Sequence, residues 1–179
     1  MDEQTVGGPP DGGRAGPPQH DRDHVAAVLR RCVDQAETRR ANRRWWDAEA
    51  GPYYVEHGPF LGDDLFVWGP EGLDEADAGL LGDVGGRRVL EVGAGAAQCA
   101  RWLQGQGALV VATDLSSQML RHSREIDADR PRPVPVAQAD ALRLPFAEGS
   151  FDLACSAYGA VPFVADSSQV MRGVARVLV

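Results

Sequence analysis

Lysine does not occur in the 179 residues; all 18 basic side chains are arginine. That absence removes two kinds of chemistry at once, because a Walker-type phosphate loop needs its lysine and a pyridoxal enzyme needs one for the Schiff base. Cysteine is scarce as well. Cys32, Cys99 and Cys155 are far apart and never form Cys-x-x-Cys, so neither a disulfide framework nor a zinc site is indicated, and a reducing, cytoplasmic setting is expected. His20, His24, His57 and His122 make no metal-binding cluster. No apolar run approaches the roughly 20 residues needed to cross a bilayer. The first residues, Asp2 and Glu3 followed by glycines and prolines, lack the basic start and apolar centre of an export signal. Positive charge is also short: the formal net charge of −8 argues against binding nucleic acid by phosphate neutralisation, which needs a clustered positive field.

What is present falls into three segments. Residues 1–22 are rich in glycine and proline and poor in large apolar side chains, so they cannot offset the entropy of ordering and are expected to be a disordered tail. Residues 23–84 are expected to form an N-terminal arm. It starts with a helix in which Val25, Val28, Leu29, Cys32, Val33 and Ala36 recur at helical spacing, and its C-terminal part carries Arg39, Arg40, Arg43 and Arg44, read first as a solvated face, though their charge would also attract an acidic partner or suit the negative end of a helix dipole. An aromatic group follows: Trp45, Trp46, Tyr53, Tyr54, Phe60, Phe66 and Trp68, interrupted by Gly51, Pro52, Gly58 and Pro59. Two readings stand open, a hydrophobic patch that fixes the arm to the core, or a lid that lines a ligand pocket.

From residue 85 the pattern alternates. Val89, Leu90 and Val92 predict a buried strand, Gly93 to Gly95 a turn, and Ala96 to Gln106 a helix. Ala108 to Thr113 predicts a second strand ending at Asp114, with Ser116 or Ser117 capping a helix to about Ile126. A third strand, Val134 to Ala139, ends at Asp140, and a fourth, Phe151 to Cys155, ends at Ser156. Asp166 or Ser167 opens a last helix with Val170, Met171, Val174, Val177 and Leu178 on one face. Such alternation implies an α/β, Rossmann-like doubly wound and mostly parallel sheet, which binds ligands beyond the carboxyl ends of its strands.

The polar candidates lie at those ends. In Glu91-Val92-Gly93-Ala94-Gly95 the glycines let backbone approach a ligand closely, and the helix behind offers free amides. Asp114, nineteen residues past Gly95, stands near the spacing at which an acid reaches ribose hydroxyls; alone, it reads equally as a helix-start aspartate. Asp140 beside Leu144-Pro145-Phe146 offers an acceptor for an amino group and a wall for a flat ring.

The run Val89-Leu90-Glu91-Val92-Gly93-Ala94-Gly95, then Thr113-Asp114-Leu115-Ser116 with Met119-Leu120, then Ala139-Asp140-Ala141 through Leu144-Pro145-Phe146 to Ser150-Phe151-Asp152, together resemble class I S-adenosylmethionine-dependent methyltransferases of the small-molecule type. The resemblance covers about residues 40–179. It implies S-adenosyl-L-methionine as cofactor and a small-molecule methyl acceptor as partner. Glu91, Gly93, Ala94 and Gly95 would hold the methionine portion, Asp114 the ribose, and Leu115 and Met119 the adenine pocket. Asp140 and Ala141 would meet the adenine, while Ser156, Ala157 and Tyr158 would border the methyl-donor end, with Tyr53 and His57 in a cap above. His57 or Tyr158 is a candidate base, though a sulfonium is already an activated donor and alignment matters more than a nucleophile. Two departures stand out. Ala97 replaces a third glycine, and the chain stops at Val179, where the family continues into further strands. The core over 85–179 is therefore expected to be incomplete, with its fourth strand at an open edge and the short chain alone a poor catalyst. The rivals are an NAD-dependent oxidoreductase, whose fingerprint asks for glycine where Gln98 stands, and a non-catalytic cofactor-binding module.

Overall fold

A computed structural model describes residues 33–179; the expected tail and the first part of the expected helix from His24 lie outside the described residues. The described chain runs α1 (Gln35–Leu61), α2 (Glu75–Ala78), β1 (Arg88–Val92), α3 (Gln98–Gly105), β2 (Leu109–Asp114), α4 (Ser117–Ile126), β3 (Val136–Gln138), β4 (Leu153–Cys155), a 3-10 turn over Val161–Phe163, and α5 (Ser167–Val177). The strands form one parallel sheet in the order β3-β2-β1-β4. Each crossover carries the chain back over a face of the sheet, so the ends of β1, β2 and β3 come out on one rim.

Alternation along β1 builds two cores. Val89 faces a cluster with Phe66, Leu103, Val110 and Ala112, whereas Leu90 and Val92 face another with Leu144, Phe151 and Val177. All these residues are buried, and at roughly 1.5–3 kcal/mol for each large side chain their burial is the main force holding the layers together. Caps fix the helices: Ser116 accepts from the Met119 amide and Asp166 from the Gln169 amide, each closing a first turn. In α5 Val170 and Val177 are buried, but Met171 is 53% exposed and does not belong to the inner face. β4 lies at the edge of the sheet, and just before it Phe151 forms a parallel bridge with Leu178.

The arm differs most from expectation. α1 does not end near Arg44; it runs on to Leu61, 27 residues in all, with Pro52 and Pro59 inside it. Proline removes an amide and its ring disfavours helical geometry in the residue before it, partly by clashing with that residue's Cβ. Here both preceding residues are glycines, Gly51 and Gly58, which have no Cβ to clash. The arginines consequently lie in the first half of α1, and the dipole reading of them fails. Arg39 pairs with Asp140 at 3.8 Å and Arg43 with Asp47 at 3.6 Å instead.

Candidate functional site

At the rim formed by the ends of β1, β2 and β3 lies a cavity of about 300 Å³. It is bordered by Glu91, Gly93, Ala94, Gly95, Asp114, Leu115, Met119, Asp140 and Ala141, residues from three successive strand–helix junctions. From the other side α1 contributes Asn42, Trp46, Tyr53, Tyr54 and Leu61, and the segment after β4 contributes Ala157 to Ala160, Phe163 and Val164.

Each acid is held in place differently. Asp114 ends β2 and accepts the Gly95 amide at 2.8 Å on one oxygen and the Ser116 amide at 2.8 Å on the other. Burial nevertheless outweighs these bonds and raises its pKa above the usual carboxylate range. Glu91 is on the α3 side of the sheet, wholly buried, and takes hydrogen bonds from the Ala100 amide and Cys99; burial pushes its carboxyl up to about 8, helped by the charge of Asp114. Its Oε2 has no partner. Asp140 closes its own turn by accepting the Leu142 amide at 2.9 Å and faces Arg39 with its other oxygen.

The glycine loop is shaped by its neighbours. The amides of Gly93 and Ala94 both donate to the Thr113 carbonyl, at 2.8 and 2.9 Å, which bends the chain off β1. Gly93 has φ of 73°, and a Cβ there would stand 2.6 Å from the Ala160 nitrogen; a Cβ on Gly159 would stand 2.5 Å from the Gly93 oxygen. The two loops therefore interlock through backbone that only glycine leaves bare. A Cβ on Gly95, in contrast, meets nothing within 4 Å. Ala97 adopts φ of 62°, the left-handed region, at a cost of about 1 kcal/mol.

Three sequence expectations are corrected. Ser156 does not border the cavity: its Oγ is buried without a partner, and the left-handed turn at Tyr158, φ 55°, lays residues 158–160 over Gly93 in its stead. Leu144 and Phe146 supply no wall, because both pack with Leu90 and Phe151 in the core; the flat apolar wall comes from Leu115, Met119, Ala139 and Ala141. His57 lies outside the cavity, its ring tilted at 57° against that of Tyr53 with centroids 4.5 Å apart. Tyr158 does line the cavity, with its hydroxyl buried and without a partner and its phenol pKa raised by burial.

The two readings of the aromatic group prove to describe different parts of it. Trp46, Tyr53 and Tyr54 line the cavity, whereas Phe66 and Trp68 pack on the core. Trp46 meets Tyr53 and Phe163 edge-on at 5.4 and 5.7 Å, so α1 and the turn after β4 share one aromatic wall. What the sequence reading missed is α2, where buried Glu75 accepts from Trp68 Nε1 at 2.7 Å and from the Leu80 and Leu81 amides at 3.0 and 2.6 Å. A lone glutamate in a polar stretch gives no signal of burial. Among the described residues there is no group of side chains arranged to hold a metal, and no helix is long and apolar enough to cross a membrane.

Comparison with known proteins places this geometry. The methyltransferase domain family matches residues 90–179. The demethylmenaquinone methyltransferase of Corynebacterium kroppenstedtii is 38% identical over 93 residues, 52% of this chain and 38% of the relative, and that of Mycolicibacterium vanbaalenii is 41% identical over 90 residues, 50% of this chain and 36% of the relative. The chain thus spans well under half the length of these curated relatives. Among solved structures, an S-adenosylmethionine dependent methyltransferase from Mesorhizobium loti superposes with a TM-score of 0.53 at 33% identity, over 60% of this chain and 50% of that one. The family match begins on β1 and takes in the glycine loop, Asp114 and Asp140, the residues that build the cavity rim, and the chain belongs to the methyltransferase domain family.

Proposed function

We propose that the chain binds S-adenosylmethionine across the ends of β1, β2 and β3, and passes its methyl group to a flat, mostly apolar small molecule held against α1. The observation that carries this reading is the division of one cavity into two chemical halves. Glu91, Asp114 and Asp140 stand on the strand ends, while Trp46, Tyr53, Phe163 and Val164 face them with aromatic and aliphatic surface.

The residues fit the cofactor on several counts. Asp114 oxygens that accept backbone amides retain lone pairs for ribose hydroxyls. Open space beside Gly95 gives room for a ligand against bare backbone, and the partnerless Glu91 Oε2 suits the cationic amino-acid end, whose charge would draw the carboxyl back to its ionised form. Leu115, Met119 and Ala141 suit the adenine faces and Asp140 its amino group. When bound, the sulfonium supplies an activated methyl group; the protein aligns the acceptor and excludes water. Tyr53 and Tyr158 line the cavity as protonated phenols, and the partnerless Tyr158 hydroxyl would donate to an acceptor oxygen.

The curated relatives carry the name demethylmenaquinone methyltransferase, which points to a quinone-derived ring as acceptor, and the aromatic wall suits such a ring. Buried, unpaired Cys99 and Cys155 agree with a reducing, cytoplasmic setting. Titration calorimetry with S-adenosylhomocysteine and with NAD tests the cofactor, and labelled methyl transfer to aromatic hydroquinones against aliphatic amines tests the acceptor. Heat from NAD and none from S-adenosylhomocysteine would overturn the assignment.

A further inference from the structure

Asp47 lies on α1, remote in sequence from every residue assigned to the cofactor. Its Oδ1 accepts from three donors at the start of α4: Ser116 Oγ at 2.8 Å, Ser117 Oγ at 3.3 Å and the Gln118 amide at 3.2 Å. Burial opposes ionisation here, yet the bonds from Ser116, Gln118 and Ser117 hold the carboxyl below its usual range, so it is a full charge at the positive end of α4.

Ser116 is where this matters. Its side chain is fully buried and has a single hydroxyl proton, which Asp47 takes. That leaves the oxygen free to accept the Met119 amide at 3.2 Å, while the Ser116 amide donates to Asp114 at 2.8 Å. Asp114, Leu115 and Met119, which line the adenosine half of the cavity, are thus carried on the turn that Ser116 secures. A second line of contacts runs in parallel. Arg39, Arg43 and Asp47 recur at four-residue spacing on one stripe of α1, with Arg43 on Asp47 and Arg39 on Asp140, so the same stripe reaches the acid at the end of β3 directly and the turn after β2 through Ser116.

We propose that Asp47 is a positioning residue for ribose recognition: by fixing the Ser116 hydroxyl it sets where Asp114 stands, and α1 thereby controls the cofactor half of the cavity as well as walling the acceptor half. The proposal rests on the cofactor reading given above.

Calorimetry on the full chain, comparing S-adenosylhomocysteine with its 2′,3′-dideoxy analogue, separates positioning from mere support. Wild type binds the hydroxylated ligand more tightly, by about tenfold or more if one charge-assisted bond is at stake. In Asp47→Ala that preference collapses towards unity, mainly through weaker binding of S-adenosylhomocysteine, with the analogue nearly unaffected. Asp47→Asn retains part of the preference, because its carbonyl still accepts from Ser116. Ala41→Gly loosens the same helix from an exposed position that makes none of these contacts, so it lowers the melting temperature but leaves the ratio intact. Equal weakening of both ligands in Asp47→Ala, or an unchanged ratio, overturns the positioning role alone. A wild-type chain that binds neither ligand overturns the cofactor reading and this proposal with it.

Discussion

Substituting Gly159 by alanine tests the interlock of the two loops without disturbing any charged or hydrogen-bonding side chain. The new Cβ would stand 2.5 Å from the Gly93 oxygen, 3.2 Å from its carbonyl carbon and 3.3 Å from its Cα, all backbone atoms that no rotamer change can move. Ordinary contact begins near 3.4 Å, so the loops must part by about 1 Å. Overpacking of this kind costs about 1–3 kcal/mol. Because Gly159 does not need a positive φ, alanine recovers some of that, about 0.4–1 kcal/mol, by restricting the unfolded chain. The net loss, about 1.3 kcal/mol at the midpoints of those ranges, corresponds to a fall of about 3–5 °C in the melting temperature of the ligand-free chain. Displacement of about 1 Å beside reacting groups would also lower the proposed methyl transfer by as much as ~100-fold. Gly95→Ala is the matched contrast. Its methyl meets nothing, so the ligand-free chain loses only the ~1 kcal/mol of a left-handed alanine, but the methyl enters space the cofactor is proposed to use. Scanning calorimetry and titration with S-adenosylhomocysteine read both variants. Wild-type melting and activity in Gly159→Ala would refute the interlock, and wild-type affinity in Gly95→Ala would refute the placement of the cofactor.

Glu91 predicts a pH dependence. Its folded pKa of about 8 lies above the unfolded 4.5, so the folded state keeps a proton that the unfolded state has lost, and stability falls as pH rises between those values. Melting curves from pH 5 to 8.5 should slope downward in wild type and flatten in Glu91→Gln. Arg101 and Asp127 form a buried pair at 2.6 Å, with Arg101 also donating to the Asp63 and Ser123 carbonyls. Asp127→Ala strands that charge and should cost about 3–5 kcal/mol in denaturant unfolding, whereas a loss under 1 kcal/mol would show the guanidinium finding water. Trp46→Ala removes the centre of the aromatic wall. Acceptor KM should rise about tenfold or more while S-adenosylhomocysteine affinity stays near wild type, and the reverse pattern would exchange the two halves of the cavity.

How much of this was legible depended on the range of the forces involved. The strands and their terminal acids follow from local apolar runs, and the caps Ser116 and Asp166 from local hydrogen bonding, so both were readable to within a few residues. α1 was not. Glycine–proline pairs signal a break in any window short enough to scan, whereas packing against α4 and the turn after β4 supports the continuous helix. The same long-range contacts hid Asp47, which resembles any helical aspartate until the chain brings Ser116 beside it. Burial of Glu75 and the diversion of Leu144 into the core were likewise set by partners distant in sequence. Ser156 was misjudged because a strand end predicts where a side chain emerges, not which way a left-handed Tyr158 turns the next residues.

The paired glycine–proline steps of α1 have a dynamic corollary. Pro52 and Pro59 each deny a backbone partner to the carbonyl one turn earlier, and they are spaced two turns apart, so the intervening stretch with Tyr53 and Tyr54 is bounded by missing rungs on both sides. Holding this stretch helical falls to its side-chain contacts, among them the Tyr54 hydroxyl on Asp63. Amide exchange should therefore find the aromatic wall opening far below the free energy that unfolds the sheet, as a local excursion of α1 that exposes the acceptor half of the cavity while β1 and β2 remain closed.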